Sequence, residues 1–375
     1  MSLLNCGRCK KDFKSKTLYD KHINRIRKCK EIEENINILT NSQPEQPEQP
    51  EDTNIINALD LFCGCGGMSE GLTKAGINVV AGIDIWDKAI NSYKKNFDHQ
   101  AICADLTQLT PEKFQELYNK DNIQIDLIVG GPPCQAYSMG GKRDPKDPRS
   151  SLFMEYIKYL NYFKPKVFIM ENVIGILSVK NSTNEKVIDI IIKLLSENYN
   201  CNINKLYASD FEVPQNRRRV IIIGIRKDLN IKPSDIKTIL KESERIPVKK
   251  ILLPRPEIDT SYYLSEKAIQ GIINKKLKAK ANNNGFGAQF LDLDKPSFTI
   301  PARYWKDGYD ALVKYSETEI RRLTILELKR IQSFPDTYII EGSKKDIIMQ
   351  IGNAVACRFA YYLGLYVINL SLYDT

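Results

Sequence analysis

The chain has 375 residues, 42% of them apolar, with 55 Lys and Arg against 46 Asp and Glu for a formal net charge of +9. That supplies the core of one large or two modest domains, while no stretch approaches the roughly 20 apolar residues that cross a bilayer and no apolar leader opens the chain, so a soluble, intracellular protein is expected. Histidine is nearly absent, only His22 and His99, which argues against hydrolases that use histidine as base.

The charge is uneven. Residues 1–30 carry ten basic and two acidic side chains, and 227–295 carry fourteen and nine. Positive patches on a near-neutral body fit a polyanion such as nucleic acid, although solvated lysine faces give the same count. The first patch contains Cys6-x2-Cys9, then Phe13, Leu18, Tyr19 and His22, then Cys29. Twelve residues separate Cys9 from His22, the spacing of a ββα zinc finger. Cys29 would be the fourth ligand, after a gap slightly longer than usual. So small a unit folds only around its metal; the alternative is a basic tail with incidental cysteines. Repeated Pro-Glu-Gln over 40–54 reads as solvated linker, so 1–30 is the finger and 31–54 the linker.

From residue 55 strands and helices alternate. Strands are expected at 55–61, 78–84, 100–104, 125–130, 166–171, 203–208 and 219–225, with helices over 68–75, 86–96, 152–162 and 184–198 between them. This is the pattern of an open, doubly wound α/β sheet. Residues 227–295 break the rhythm with prolines and lysines and read as an inserted small domain. The pattern returns at 296–375, ending in a long apolar helix near 354–370.

Residues at the strand ends carry the chemistry. The first strand runs into Asp60-Leu-Phe62-Cys-Gly64-Cys-Gly66-Gly67, a turn that a ligand can approach closely. It lacks the full G-x-G-x-x-G of a dinucleotide site. The second strand ends at Asp84, followed by Trp86, and the third near Asp105. Acidic residues there bind ribose hydroxyls and adenine amino groups, although each alone is as well read as a helix cap. Together they fit an adenosine cofactor without pyrophosphate, such as S-adenosylmethionine. The fourth strand, Ile125–Val129, ends in Gly-Gly-Pro-Pro-Cys134-Gln, a thiol on a stiff loop where open sheets bind ligands. The fifth ends in Glu171-Asn-Val173. Gln215-Asn-Arg217-Arg-Arg219 enters the last strand, and alternation puts Arg217 and Arg219 on one face. Fixed positive charge beside a thiol favours thiolate.

In this order the motifs resemble those of DNA cytosine-C5 methyltransferases over about 55–371. They are Asp60-Leu-Phe-x-Gly-x-Gly-Gly67, Asp84 with Trp86, Asp105, Pro132-Pro-Cys134-Gln, Glu171-Asn-Val173, Gln215-x-Arg217-x-Arg219, Arg322-Leu-Thr with Gln332-Ser-Phe-Pro335, and Gln350-Ile-Gly-Asn353-Ala-Val355. The resemblance implies a Rossmann-like seven-stranded methyltransferase sheet, with 55–226 and 296–375 as catalytic domain and 227–295 as target recognition domain. It implies S-adenosylmethionine contacts from Phe62, Gly64, Gly66, Asp84, Trp86, Asp105 and Asn353. It implies Cys134 as nucleophile towards cytosine C6, Glu171 on the N3/N4 edge, and Arg219 with Arg217 on O2 or the nearby loop. The final helix would pack beside the first strand.

Ala136 stands where glycine is commoner, and Ala356 where proline often follows Asn-Ala-Val; neither touches the chemistry. The tRNA-methylating branch usually carries Cys-Phe-Thr in its recognition region. Residues 227–295 contain none, which favours double-stranded DNA as partner. The expectation is a monomeric DNA methyltransferase, cytoplasmic in a prokaryote, nuclear or in a viral factory otherwise. A tRNA cytosine methyltransferase and a catalytically silent nucleic-acid-binding protein are the alternatives.

Overall fold

The structure is a computed structural model in which residues 4–5, 12–13, 55–133, 152–181, 184–281, 288–306, 308–309, 311–370 and 372 are described. Two compact units divide the chain, Met1–Thr53 and Asn54–Thr375. In the first, β1 (Leu4–Asn5) pairs antiparallel with β2 (Asp12–Phe13). Cys6 and Cys9 fall between these strands in sequence. The expected ligands Cys6, Cys9, His22 and Cys29, and the linker, lie outside the described residues.

The second unit contains all seven expected strands: β3 (Asn57–Leu61), β4 (Asn78–Asp84), β5 (Gln100–Cys103), β6 (Leu127–Gly130), β7 (Val167–Val173), β8 (Tyr199–Tyr207) and β9 (Arg218–Arg226). They form one sheet in the order β5-β4-β3-β6-β7-β9-β8. Neighbours from β5 to β7 are parallel, and β9 is antiparallel to both β7 and β8. The reversal follows from chain length. Parallel strands need a crossover of about a dozen residues or more, and β8 reaches β9 through a short connection holding a single turn at Ala208–Phe211. The order switches direction beside β3, between β4 and β6, which is where ligands bind in such sheets.

Alternation along the strands fills both faces. Leu59, Leu61, Ile128, Phe168, Met170, Val220 and Ile222 face one core, covered by α3 (Pro111–Tyr118), α4 (Leu152–Phe163) and α5 (Val187–Leu195). Ala58, Leu127, Val129, Ile169, Ile221 and Ile223 face the other. There α1 (Gly67–Lys74) lies against α9 (Cys357–Ile368), and Phe359, Ala360 and Leu363 of α9 reach Ala58 of β3's own cluster, as the expected packing of the last helix requires. Helix α2 (Asp87–Lys94) follows β4. Helix α3 was not among the expected helices, although Thr110 caps it and Pro111 opens it, both legible start signals.

The chain after β9 does not leave the sheet at once. Asn200 Nδ2 donates to Ile231 O at 3.0 Å, Asn202 Nδ2 to Asp235 Oδ1 at 2.9 Å, and Ile236 N to Asn204 Oδ1 at 3.0 Å. Residues 231–236 thereby line the edge strand β8. A separate small core joins Ile269, Ile272, Ala288, Leu312 and Ile320, built on α6 (Glu266–Ala281) and the antiparallel pair β10 (Leu312–Lys314) and β11 (Ile320–Arg322). It draws on residues from both sides of position 295.

The chain closes through α7 (Ile325–Ile331), α8 (Lys344–Asn353) and α9. The run Lys344–Ile368 is long and apolar enough by composition to cross a membrane, contrary to the expectation that no stretch is. It is two helices parted at Ala354-Val355-Ala356, and 56% of its most apolar window is buried, the mark of core helices.

Candidate active site and cofactor turn

The turn after β3 is left-handed at Phe62, Gly64 and Gly66, with φ of 59°, 55° and 94°. Glycine is required at position 66: a Cβ there would lie 2.5 Å from Phe97 and 2.7 Å from the Tyr338 hydroxyl. Tyr338 Oη donates to Cys65 O at 2.5 Å, pinning the turn from below. A Cβ on Gly64 would meet nothing within 4 Å, so the upper side of the turn is open. Asp84 is tied to the turn, its Oδ2 accepting from Gly64 N at 2.9 Å and its Oδ1 from Trp86 N at 2.8 Å. Burial pushes its carboxyl above the usual range. Trp86 is half-buried and Ile85 exposed. Asp105, just past β5, uses Oδ1 to cap Thr107 N at 2.9 Å. Asn353 is exposed at the end of α8; the adjoining Val355 carbonyl presses on Gly67 of the turn. Phe62, Gly64, Gly66, Asp84 and Trp86 therefore share one site, with Asp105 on the next strand end and Asn353 on the segment packed behind.

Beneath the turn runs a hydrogen-bond chain that sequence reasoning missed. Ser69 Oγ donates to Asp60 Oδ2 at 2.6 Å, Ser69 Oγ and Tyr93 Oη are 2.7 Å apart, and Tyr93 Oη meets His99 Nε2 at 2.7 Å. Asp60 is 1% exposed, and burial pushes its carboxyl up to about 7. Burial likewise lowers the His99 imidazole to about 4. The four residues come from β3, α1, α2 and the segment before β5. No local spacing links them, and the only signal was the rarity of histidine itself.

The second cluster lies at the ends of β6, β7 and β9. Because β9 is reversed, Arg219 sits opposite Val173. Its Nε lies 2.6 Å from Glu171 Oε1, both side chains being nearly buried. That contact is off the line of a hydrogen bond, so Arg219 Nε remains a buried donor without a hydrogen-bond partner, as does Arg217 Nε. The Arg217 guanidinium is buried and gives its Nη2 to Gly352 O at 3.0 Å, at the end of α8. Burial, with Arg219 beside it, depresses its pKa. The loop after β6 is anchored here: Asn172 Nδ2 donates to Pro132 O at 3.2 Å, and Gly131 packs against the Glu171 carboxylate. Cys134 lies outside the described residues. Gln215 and Gln332 bind one another at 3.0 Å, and Gln332 also donates to Ile351 O, locking the entrance of β9 to α7 and α8.

Residues 56–368 match the model of the C-5 cytosine-specific DNA methylase family. The chain belongs to that family. Among its relatives, the methylase is 33% identical over 338 residues to the Type II methyltransferase M.FnuDI of Fusobacterium nucleatum, covering 82% of this chain and 92% of that one. It is 32% identical over 342 residues to M.NgoPII of Neisseria gonorrhoeae, covering 83% and 95%. Among solved structures, an E. coli prophage protein assigned as a DNA modification methyltransferase superposes with a TM-score of 0.66 at 25% identity, over 84% of this chain and 99% of that one. S. pombe Dnmt2 shares the fold, with a TM-score of 0.64 at 22% identity over the same shares. The methylase is a DNA cytosine-5-methyltransferase, and S-adenosylmethionine is the cofactor expected of its family. Among the described residues no group of side chains could hold a metal ion.

Proposed function

We propose that this methylase modifies C5 of a cytosine flipped out of sequence-specific double-stranded DNA, inside the cell, through a covalent bond from Cys134 to C6. One observation carries the reading. Arg219 Nε lies 2.6 Å from Glu171 Oε1 with both side chains nearly buried, at the anchored base of the loop that leads to Cys134. A nearly buried carboxylate–guanidinium pair at the end of a sheet is a candidate functional site, and its two members match the N3/N4 edge and O2 of a cytosine.

The turn at Phe62–Gly66 fits the cofactor, since the space above Gly64 is free and Asp84 is held beside it. Asp84 would take the ribose hydroxyls, Trp86 and Asp105 the adenine, and Asn353 the remaining rim. Bound S-adenosylmethionine supplies an electrophilic methyl on its sulfonium. A base must leave the duplex stack to be reached. The Cys134 thiolate would add to C6 and drive an electron pair onto C5, which would take the methyl as the S–CH3 bond breaks and leaves its pair on a neutral thioether. Glu171 holds the N3/N4 edge and offsets charge developing at N3. Arg219 donates to O2, while Arg217 fixes the entrance of β9 against α8. Loss of the C5 proton to water would reform the C5–C6 double bond as the C6–S bond breaks, releasing the Cys134 thiolate. The small lobe carrying α6, β10 and β11 would read the duplex through its grooves.

We also assign zinc to Cys6, Cys9, His22 and Cys29, on their spacing and on the strand pair that brackets the first two in sequence. The test of the main reading is bisulfite sequencing of an unmethylated plasmid after incubation with protein and S-adenosylmethionine. Discrete cytosines should be protected, and Cys134→Ala should abolish protection. Full activity in that variant, or methyl transfer to tRNA in place of duplex DNA, refutes the reading.

A further inference from the structure

Strand β9 opens with Arg218 and Arg219, and the pleat sends them to opposite faces. Arg219 is buried against Glu171, whereas Arg218 is exposed. Directly across the β8–β9 register from Arg218 is Tyr207, itself 37% exposed. The Arg218 guanidinium carbon lies 5.4 Å from the centre of the Tyr207 ring. Arg245 approaches the same ring at 5.5 Å, but its charge is met: Nε donates to Asp210 Oδ1 at 2.6 Å, and Glu242 lies 3.4 Å from Nη1. Arg218 has no carboxylate partner among the described residues. Lys205, two residues before Tyr207 on the same face of β8, is exposed and likewise lacks one among the described residues.

This arrangement does not serve the fold. An exposed arginine gains little from a ring face alone. It does hold the guanidinium plane still, leaving its in-plane N–H groups to grip a partner at less entropic cost than a free side chain. The position selects the partner. Tyr207 and Arg218 lie at the same end of the sheet as Glu171, on its other face, because Arg219, the next residue, pairs with Val173, so a duplex about 20 Å across lying over this end would meet both. Strand β8 is two strands away from β7, about 10 Å at the usual spacing. Phosphates recur at least every ~3.4 Å along one DNA strand, so a lateral offset of about 10 Å stays within a few nucleotides of the seated base.

We propose that Lys205, Tyr207 and Arg218 form a phosphate-gripping edge that holds the DNA backbone a few nucleotides from the base seated at Glu171. The proposal rests on the reading of duplex DNA as substrate. Arg218 and Lys205 neutralise phosphates, the Tyr207 ring orients Arg218, and its hydroxyl adds a donor. These contacts position the strand and carry no sequence information.

The test uses the full-length protein and a fluorescein-labelled duplex containing a site mapped by bisulfite sequencing. Binding is followed by anisotropy between 50 and 200 mM salt. Each phosphate contact adds about 0.9 to the slope of log K against log salt. Arg218→Ala should lower the slope by about one and Lys205→Ala/Arg218→Gln by about two. Arg218→Lys should restore most of it. The loss should appear in KM for DNA while the Kd for S-adenosylmethionine holds, which also shows that the variants are folded. An unchanged slope in the double variant, or a loss equal in kcat and KM, overturns the proposal. Failure of the wild-type protein to bind duplex DNA at all, or preference for a tRNA transcript, instead overturns the substrate reading on which it stands.

Discussion

Asp60 offers a prediction whose size follows from the structure. Its carboxyl is 1% exposed, accepts one hydrogen bond from Ser69, and is raised from 3.8 to about 7, by burial first and by Asp84 in smaller part. The groups that face it are Asp84 on β4, Ser69 on α1, the Cys63 thiol of the turn, and the Tyr93 and Tyr156 hydroxyls of α2 and α4. A carboxyl raised on folding keeps its proton in the native state while the unfolded chain loses it. Stability is therefore fully present below 3.8 and falls by about 1.4 kcal/mol per pH unit up to about 7, roughly 4 kcal/mol in all. Asp60→Asn retains the shape and an acceptor for Ser69 but cannot ionise. The variant should gain on the wild type by up to about 4 kcal/mol as pH rises from 4 to 8. Urea unfolding read by tryptophan fluorescence suits the test, since both tryptophans, Trp86 and Trp305, lie in the second unit. His99, lowered to about 4, costs stability only below about 6.5, where the unfolded chain takes up its proton. That contribution is common to both proteins and drops out of the difference. A difference curve flat within about 1 kcal/mol across this range would refute the reasoning.

Three further outcomes are expected. Arg321 and Glu327 are 0% exposed and joined by two hydrogen bonds of 2.8 Å, so Glu327→Ala, which strands a buried guanidinium, should cost about 3–5 kcal/mol. Replacing both residues by apolar ones should recover much of that in the same urea assay. Gly66→Ala, which drives a methyl into Phe97 and Tyr338 at a left-handed position, should weaken S-adenosylmethionine binding by more than tenfold in calorimetry, while Gly76→Ala, with free space around it, should leave that binding unchanged. Metal analysis of purified protein should find one zinc per chain, removable by a chelator with loss of structure confined to the first unit. A metal-free protein with unaltered circular dichroism would dismiss the finger.

Strands were legible because buried β-branched runs such as Val220–Ile223 have only one reading at that length. Their directions were not. The reversal of β9 depends on how few residues join it to β8, and alternation is blind to that. The strand-end residues could be picked out one by one, yet Asp105 capping Thr107 is what a plain helix-entry carboxylate does. Only Asp84 shows its anchoring to the glycine turn. Arg217 and Arg219 were read as a pair, and the fold gives them different duties: one faces Glu171, the other is spent on Gly352. The start of the inserted region was blurred because 231–236 lie along β8 through asparagine side chains, an interaction that composition cannot announce.

Positions 217, 218 and 219 hold the same amino acid three times, so nothing in their chemistry says which one belongs beside Glu171. Hydrogen-bond register alone decides it. A slip of one residue along β7 and β8 would bring Arg218 opposite Val173 and turn every isoleucine of β9 to the wrong core. The asparagines that fasten residues 231–236 to β8 and the isoleucines that fill both cores thus act as an address system for one guanidinium.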